Sequence, residues 1–245
     1  MFRAYSAALA AAIGLLAGCT PSAPVPPPAD VVLAISVYMA RSYNAEVMLY
    51  REAPNVAPDT YWVYSDGYLA GLDVSRWNVP ALTKWTVLVE RAIVAEEVFA
   101  YTHRYIDLGN GVRSEAHDPG APRLADWQEY ADRLLLAAIN ARNAGDKARE
   151  RELVTLAKRM WNGKGLTDKV HQSHGYYETY KTALYYYVTG EPAAHRVLLS
   201  LQERGRNSNR YGGVYTEYGE DGKPLPHTDV NVETTSVALR ALLRR

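Results

Sequence analysis

The sequence predicts an all-α fold of stacked helical hairpins, on three observations. Almost every long segment after residue 30 repeats its apolar residues at three- and four-residue steps rather than in alternation. Glycine and proline fall between these segments. Four segments bring an acidic residue to the front of a helix, followed by small and apolar residues, as a weak but ordered internal repeat. No convincing run of strands is visible.

The chain opens with one positive charge, Arg3, and an apolar stretch from Ser6 to Ala17, which is too short to span a bilayer as a helix and has the layout of a secretory signal. It ends in Leu15-Leu16-Ala17-Gly18-Cys19, and these residues resemble the lipobox of bacterial lipoprotein signal peptides. The resemblance implies that residues 1–18 are removed and that Cys19 is acylated and becomes the mature N-terminus. An ordinary signal peptide with a chance cysteine is the other reading. Cys19 is the only cysteine, so the mature domain has no disulfide. Residues 19–29 form a Pro-rich tether favouring the polyproline conformation, a spacer of roughly 30 Å at about 3.1 Å per residue. Residues 30–245 suit one domain with a substantial core. The expected address is extracytoplasmic, lipid-anchored to a cell membrane.

The helices follow in order. Pro80 is placed for a first turn, with Leu82, Trp85, Leu88, Ala92, Ala95 and Phe99 forming one stripe. A second helix runs from Leu124 to Ala144 and stops at Gly145; a third spans about Ala148 to Met160; a fourth opens near Tyr176. The last opens near Val232 and ends with Arg244 and Arg245 placed against the helix dipole. The repeated fronts carry Asp66, Asp132, Glu178 and Glu233, and the unit is a helical hairpin of roughly 40 to 55 residues.

Leu198-Leu-Ser-Leu-Gln202, Tyr211-Gly-Gly-Val-Tyr215 and Val232-Glu-Thr-Thr-Ser-Val-Ala-Leu239 resemble the repeat of α/α-toroid proteins, the terpenoid cyclase, prenyltransferase and six-hairpin glycosidase-like group. In that repeat an outer helix ends in Gln, a Gly-Gly-aromatic turn follows, and an inner helix starts with an acid and a Thr. The resemblance is good over the last 50 residues and weakens towards Asp30. It implies a closed or partly closed ring of hairpins around a cavity. The Asp-rich metal motif of terpene enzymes and the zinc set of prenyltransferases are both missing from the sequence, so the resemblance speaks to fold and leaves chemistry open.

In such a ring the inner-helix fronts meet at one mouth, and Asp66, Glu178 and Glu233 become candidate catalytic acids and bases, with Asp132 beside them. The competing reading is that each acid merely favours its own helix dipole and N–H groups, worth up to about 1 kcal/mol. Glu178 can also pair with Lys181 one turn on, an ordinary surface arrangement. Tyrosine is in excess, 19 against 2 Phe, which fits interhelical packing with hydroxyl partners or a wet aromatic cavity for sugar rings. The ligand-binding candidates are therefore Arg51, Tyr61, Trp62, Asp132, Tyr177, Tyr180 and Tyr215. The first three lie in a polar and aromatic loop, Leu49 to Trp62, where Arg51 is an anion clamp or pairs with Glu52 or Asp59.

His171, His174 and Glu178 have a spacing that can hold zinc, but no three convergent ligands can be named, so no metal and no cofactor is expected. There is no phosphate-binding Gly-rich loop, no Gly-x-Ser-x-Gly and no Cys-His pair. Positive and negative charges balance at 27 each, which makes nucleic acid a poor partner. Besides a binder of an apolar ligand such as an isoprenoid, which only the fold analogy suggests, two readings of function follow. One is an anchored toroid that binds or cleaves glycans, as a hydrolase or lyase; the other is a non-catalytic envelope scaffold holding a protein partner.

Overall fold

A computed structural model describes residues 29–46, 49–62, 103–117 and 124–243. The signal segment, Cys19, most of the tether, the Pro80 helix and Asp66 lie outside the described residues. The fold is mixed α/β, which overturns the all-α expectation and with it the α/α toroid. Helix α1 (Ala29–Ser42) leads into strand β1 (Tyr43–Asn44), β2 (Leu49–Ala53) and β3 (Ala57–Trp62), and later β4 (His103–Asp107) and β5 (Val112–His117). The sheet order is β1-β2-β3-β5-β4, antiparallel except where β3 runs parallel to β5.

The segment read as a functional loop is thus a hairpin. Its turn is Ala53-Pro54-Asn55-Val56, closed by the Val56 N–H on the Ala53 carbonyl at 3.1 Å, with proline and asparagine at the two central positions that turns favour. Alternation is missing because the register shifts between Arg51 and Ala53; a bulge breaks the period of two on which strand recognition rests. Leu49, Tyr50 and Ala53 are buried while Arg51 and Glu52 are half-buried. The second hairpin turns through Gly109-Asn110-Gly111, all at positive φ (84°, 53° and 77°). Gly111 also lies against β3, where an added Cβ would come within 1.8 Å of the Asp59 carbonyl oxygen.

The second half is helical. After a 3₁₀ turn (Trp127–Glu129) come α2 (Ala131–Asn143), α3 (Lys147–Met160) and α4 (Lys169–His174). Then follow β6 (Tyr177–Glu178), α5 (Thr179–Thr189), α6 (Pro192–Ser200), β7 (Glu217–Tyr218) and α7 (Val232–Leu242). The predicted second helix begins late, at Ala131 rather than Leu124, because Trp127–Glu129 winds as a tighter turn. The third matches its expected position and the last opens at Val232 as expected, while Arg244 and Arg245 lie outside the described residues. Helix α5 is the centre: it packs on α2, α3, α6 and α7, while α7 also packs on α1 and β2. Ala183, Leu184, Tyr185 and Tyr186 of α5 are all buried, so both its flanks face protein.

The Gln, Gly-Gly and Thr of the repeat motif are spent on this packing. Buried Gln202 donates from Nε2 to the Val31 carbonyl of α1 at 3.0 Å, and Thr235 Oγ1 accepts the Val214 N–H at 3.0 Å. Gly212 sits at φ 89° with α1 passing directly over it, where a Cβ would meet the Ala34 carbonyl oxygen at 1.8 Å. Gly212→Ala is expected to cost at least about 2 kcal/mol, because a left-handed residue with a side chain is strained by itself and the clash is with backbone that cannot rotate away. A chemical-denaturation midpoint unchanged from the parent would contradict this contact.

Candidate functional site

The site is built at the starts of α2, α5 and α7, around a lysine. Strands β6 and β7 pair Tyr177 with Tyr218 and Glu178 with Glu217, and the Thr179 N–H binds the Thr216 carbonyl at 2.8 Å. This ladder holds Glu178 extended at the entrance of α5, at φ −91° and ψ 124°, and its carboxylate makes no capping bond to the helix behind it. One turn on, Lys181 is 3% exposed, with its Nζ 2.7 Å from Asp168 Oδ2 and 2.5 Å from Glu178 Oε2. The first contact is a directed hydrogen bond. The second is an ion contact between residues one turn apart at the entrance of α5.

Asp168, 2% exposed, ties three elements together. Its Oδ2 also accepts the Ala131 N–H at 3.1 Å, at the start of α2, and its Oδ1 accepts the His171 N–H at 3.2 Å as the cap of α4. Two partners at one oxygen and one at the other satisfy a buried carboxylate. Its role is architectural, and it fixes the ammonium on which Glu178 leans.

Asp132, in the first turn of α2, accepts the Tyr180 hydroxyl at Oδ2 over 3.3 Å, while its Oδ1 is buried with no hydrogen-bond partner. The Tyr180 phenol is driven well above its usual range by burial first, then by the charges of Asp132, Glu178, Glu233 and Asp168. Of these carboxylates only Asp132 touches the hydroxyl; Glu178 and Asp168 meet at Lys181, and Glu233 acts on Tyr180 through its charge. Asp132, Glu178 and Glu233 are not caps: Asn231 caps α7 through the Thr234 N–H at 2.8 Å, and neither Tyr130 nor Glu178 caps its helix by a side chain.

Burial raises the Glu178 carboxyl above the usual carboxylate range; Lys181 opposes this, and Asp132 and Asp168 reinforce it. For Lys181 burial acts downward, yet Asp132, Glu178 and Asp168 together outweigh it and hold the ammonium above the usual lysine range. The pair is asymmetric: the lysine is firmly charged, and the glutamate, shared against Asp168, holds its proton more tightly than an ordinary glutamate. Its side chain is 24% exposed, so solvent reaches it.

The other expected residues go elsewhere. Arg51 donates to the Tyr43 carbonyl at 3.4 Å, not to Glu52 or Asp59, and Tyr61 accepts Asn44 Nδ2 at 2.8 Å; the two face each other across β2 and β3. Tyr177 is buried, donates to Glu220, accepts Asn162 Nδ2 at 2.7 Å and stacks on His171 at 4.3 Å. Tyr215 donates to Glu203 Oε2 at 2.5 Å. These tyrosines use their hydroxyls to latch loops and helix ends; Tyr180 alone of the expected tyrosines joins the carboxylates. Asp66 and the side chain of Trp62 lie outside the described residues. His171 places Nδ1 3.0 Å from the Tyr176 carbonyl, and His174 stacks on Tyr176. No group of three metal-ligating side chains exists among the described residues.

Sequence reasoning missed Asp168, Tyr176 and Glu217, and it placed the Glu178–Lys181 pair on the surface, whereas Lys181 is buried. Glu217 opposes Glu178 directly across the ladder, an arrangement that destabilises a sheet when both are charged. The Tyr176 hydroxyl is raised by burial, then by Glu217 and Glu178. Together these groups offer a solvent-reachable carboxyl raised above the usual carboxylate range, further carboxylates near it, and a phenol, which are the parts of general acid–base chemistry. Compared with models of known families, with curated proteins and with solved structures, the chain matches none.

Proposed function

We propose that this protein is exported, held to a membrane by a lipid on Cys19, and acts on glycans at the carboxylates around Tyr180, with Glu178 as general acid. The observation that carries this is Glu178 itself. It is a helix-entrance carboxylate that caps nothing, reaches solvent, and is raised above the usual carboxylate range by burial, reinforced by Asp132 and Asp168. A protonated Glu178 delivers its proton to the leaving glycosidic oxygen while an ionised neighbour, Asp132 or Glu233, serves as base or stabilises the positive charge developing on the sugar. The Tyr180 and Tyr176 hydroxyls orient ring hydroxyls.

The test is a glycan array with a hydrolase and lyase screen on the chain, with Glu178→Gln and Glu233→Gln beside it. Binding retained and turnover lost in Glu178→Gln supports the assignment. No binding and no turnover for any glycan leaves the envelope-scaffold reading standing. The anchor has its own test. No helix among the described residues is long and apolar enough to cross a membrane, so Cys19→Ala is expected to move the protein from the membrane to the soluble fraction. A variant still bound after a high-salt wash would sink the single-anchor reading.

A further inference from the structure

We propose that the loop Arg204–Arg210 is the membrane-facing tip of the domain and docks on anionic lipid headgroups; this rests on the proposed lipid at Cys19. The loop is a closed finger. Its base is clasped by the Glu203 N–H on the Gly213 carbonyl and the Gly212 N–H on the Glu203 carbonyl, both at 2.9 Å, and by the Gln202–Val214 bridge behind them. Its tip turns tightly, with the Ser208 N–H on the Gly205 carbonyl at 2.8 Å. The finger is seated on the first turns of α1, through Gln202 on Val31 and Gly212 against Ala34.

That helix is the one the tether enters. Between Cys19 and Ala29 lie Thr20–Pro28, which reach at most roughly 30 Å even fully extended. The finger is fixed to the end of the domain that this leash holds near the bilayer. Its charge suits that position. Glu203 is occupied by the Tyr215 hydroxyl and the Gly205 N–H, and Arg210 is paired with Asp229 at 2.8 Å. Arg204 and Arg206 are exposed and pair with no carboxylate among the described residues. Leu33, in the same stretch of α1, is 65% exposed. Beside a lipid anchor, each Arg near an anionic surface adds about 1 kcal/mol of attraction and fixes which face of the domain meets the bilayer. Arg206 and Arg204, the latter also holding the Leu199 carbonyl at 3.2 Å, supply that attraction near the start of α1 without any charge excess over the whole chain, which is neutral.

The full chain is tested in vesicles. Because Cys19 is the only native cysteine and is blocked by its lipid, Asn207→Cys gives one thiol for a fluorophore, and Glu152→Cys on α3 gives a control on another face. In phosphatidylcholine vesicles containing phosphatidylglycerol, brominated lipid is expected to quench the label at 207 and spare the label at 152. Quenching should fall about fivefold for each of Arg204→Gln and Arg206→Gln and vanish in high salt. A lipidated chain whose label at 207 stays in water overturns the docking alone. Equal quenching on phosphatidylcholine by itself overturns the anionic headgroup as partner. A chain shown by mass to carry no lipid on Cys19 removes the leash, and both the anchor and the docking fall.

Discussion

Lys181→Met is expected to destabilise the fold by about 3–5 kcal/mol, the range for removing one partner of a buried ion pair. The magnitude follows from what is left behind. Asp168 is 2% exposed and keeps its carboxylate for the Ala131 and His171 N–H groups, so it cannot turn to water when the ammonium 2.7 Å away is gone. Glu178 and Asp132 lose the same cation. Methionine fills most of the volume, so the loss is electrostatic rather than a cavity. Lys181 also predicts the pH dependence. Its folded pKa is raised, so its contribution is complete below the unfolded lysine value of about 10.4 and disappears as pH climbs through the higher folded value. The part of the gap set by the lysine's own titration should therefore be flat through neutrality and close in strong alkali. Asp168→Asn combined with Lys181→Met should be milder than the two single losses added, by a coupling of about 0.5–3 kcal/mol. Additive losses in urea melts would mean that the two do not act as a pair.

The helical half could be read from sequence because its signals are local. Asp146 and Gly145 bound α3, proline opens α6, and the last helix carries its own stripe and its own cap at Asn231. The sheet could not be read by alternation, since the bulge at β2 destroys the pattern and β3 finds its neighbour β5 only after an interval of some 50 residues. Pairing across such a distance leaves no mark on either segment. The turn chemistry did mark it: Pro54-Asn55 and Gly109-Asn110-Gly111 are hairpin punctuation, and giving them more weight than the missing alternation would have recovered both hairpins.

The site was half legible for the same reason. Glu178, Asp132 and Glu233 share a repeated position at helix fronts, which periodicity exposes, and the charge of each bears on the Tyr180 hydroxyl. Asp168 has no repeat position. It caps the six-residue α4, and its tie to Lys181 is tertiary. Lys181 looked like a surface partner because i,i+3 spacing says nothing of burial. Tyrosine excess misled in one respect: the hydroxyls of Tyr177, Tyr215 and Tyr218 are engaged on Glu220, Glu203 and the Lys164 carbonyl, so composition counted latches as lining.

Glu178→Gln is expected to abolish turnover of any glycan substrate by about 10²–10⁴-fold, the usual contribution of a general acid, while the folded state becomes more stable. The two effects together separate a working acid from a structural one. A glutamate kept for stability would weaken the fold when neutralised, whereas a group retained against its environment strengthens the fold on removal. The sign can be worked through. Glu178 has a folded pKa above the ordinary value, so between the two values the folded state binds a proton that the unfolded chain has released, and stability falls as pH rises through that window. Glutamine does not titrate. The advantage of Glu178→Gln should thus be smallest below the unfolded glutamate value of about 4.3, grow as pH passes through the raised folded value, and level off above it. Lys181 is not stranded by the change, because Asp168 remains 2.7 Å away. Thermal melts of parent and variant across pH 3 to 9 read this without a substrate; a variant less stable than the parent at neutral pH would make Glu178 a structural partner of Lys181 and remove it from the proposed chemistry.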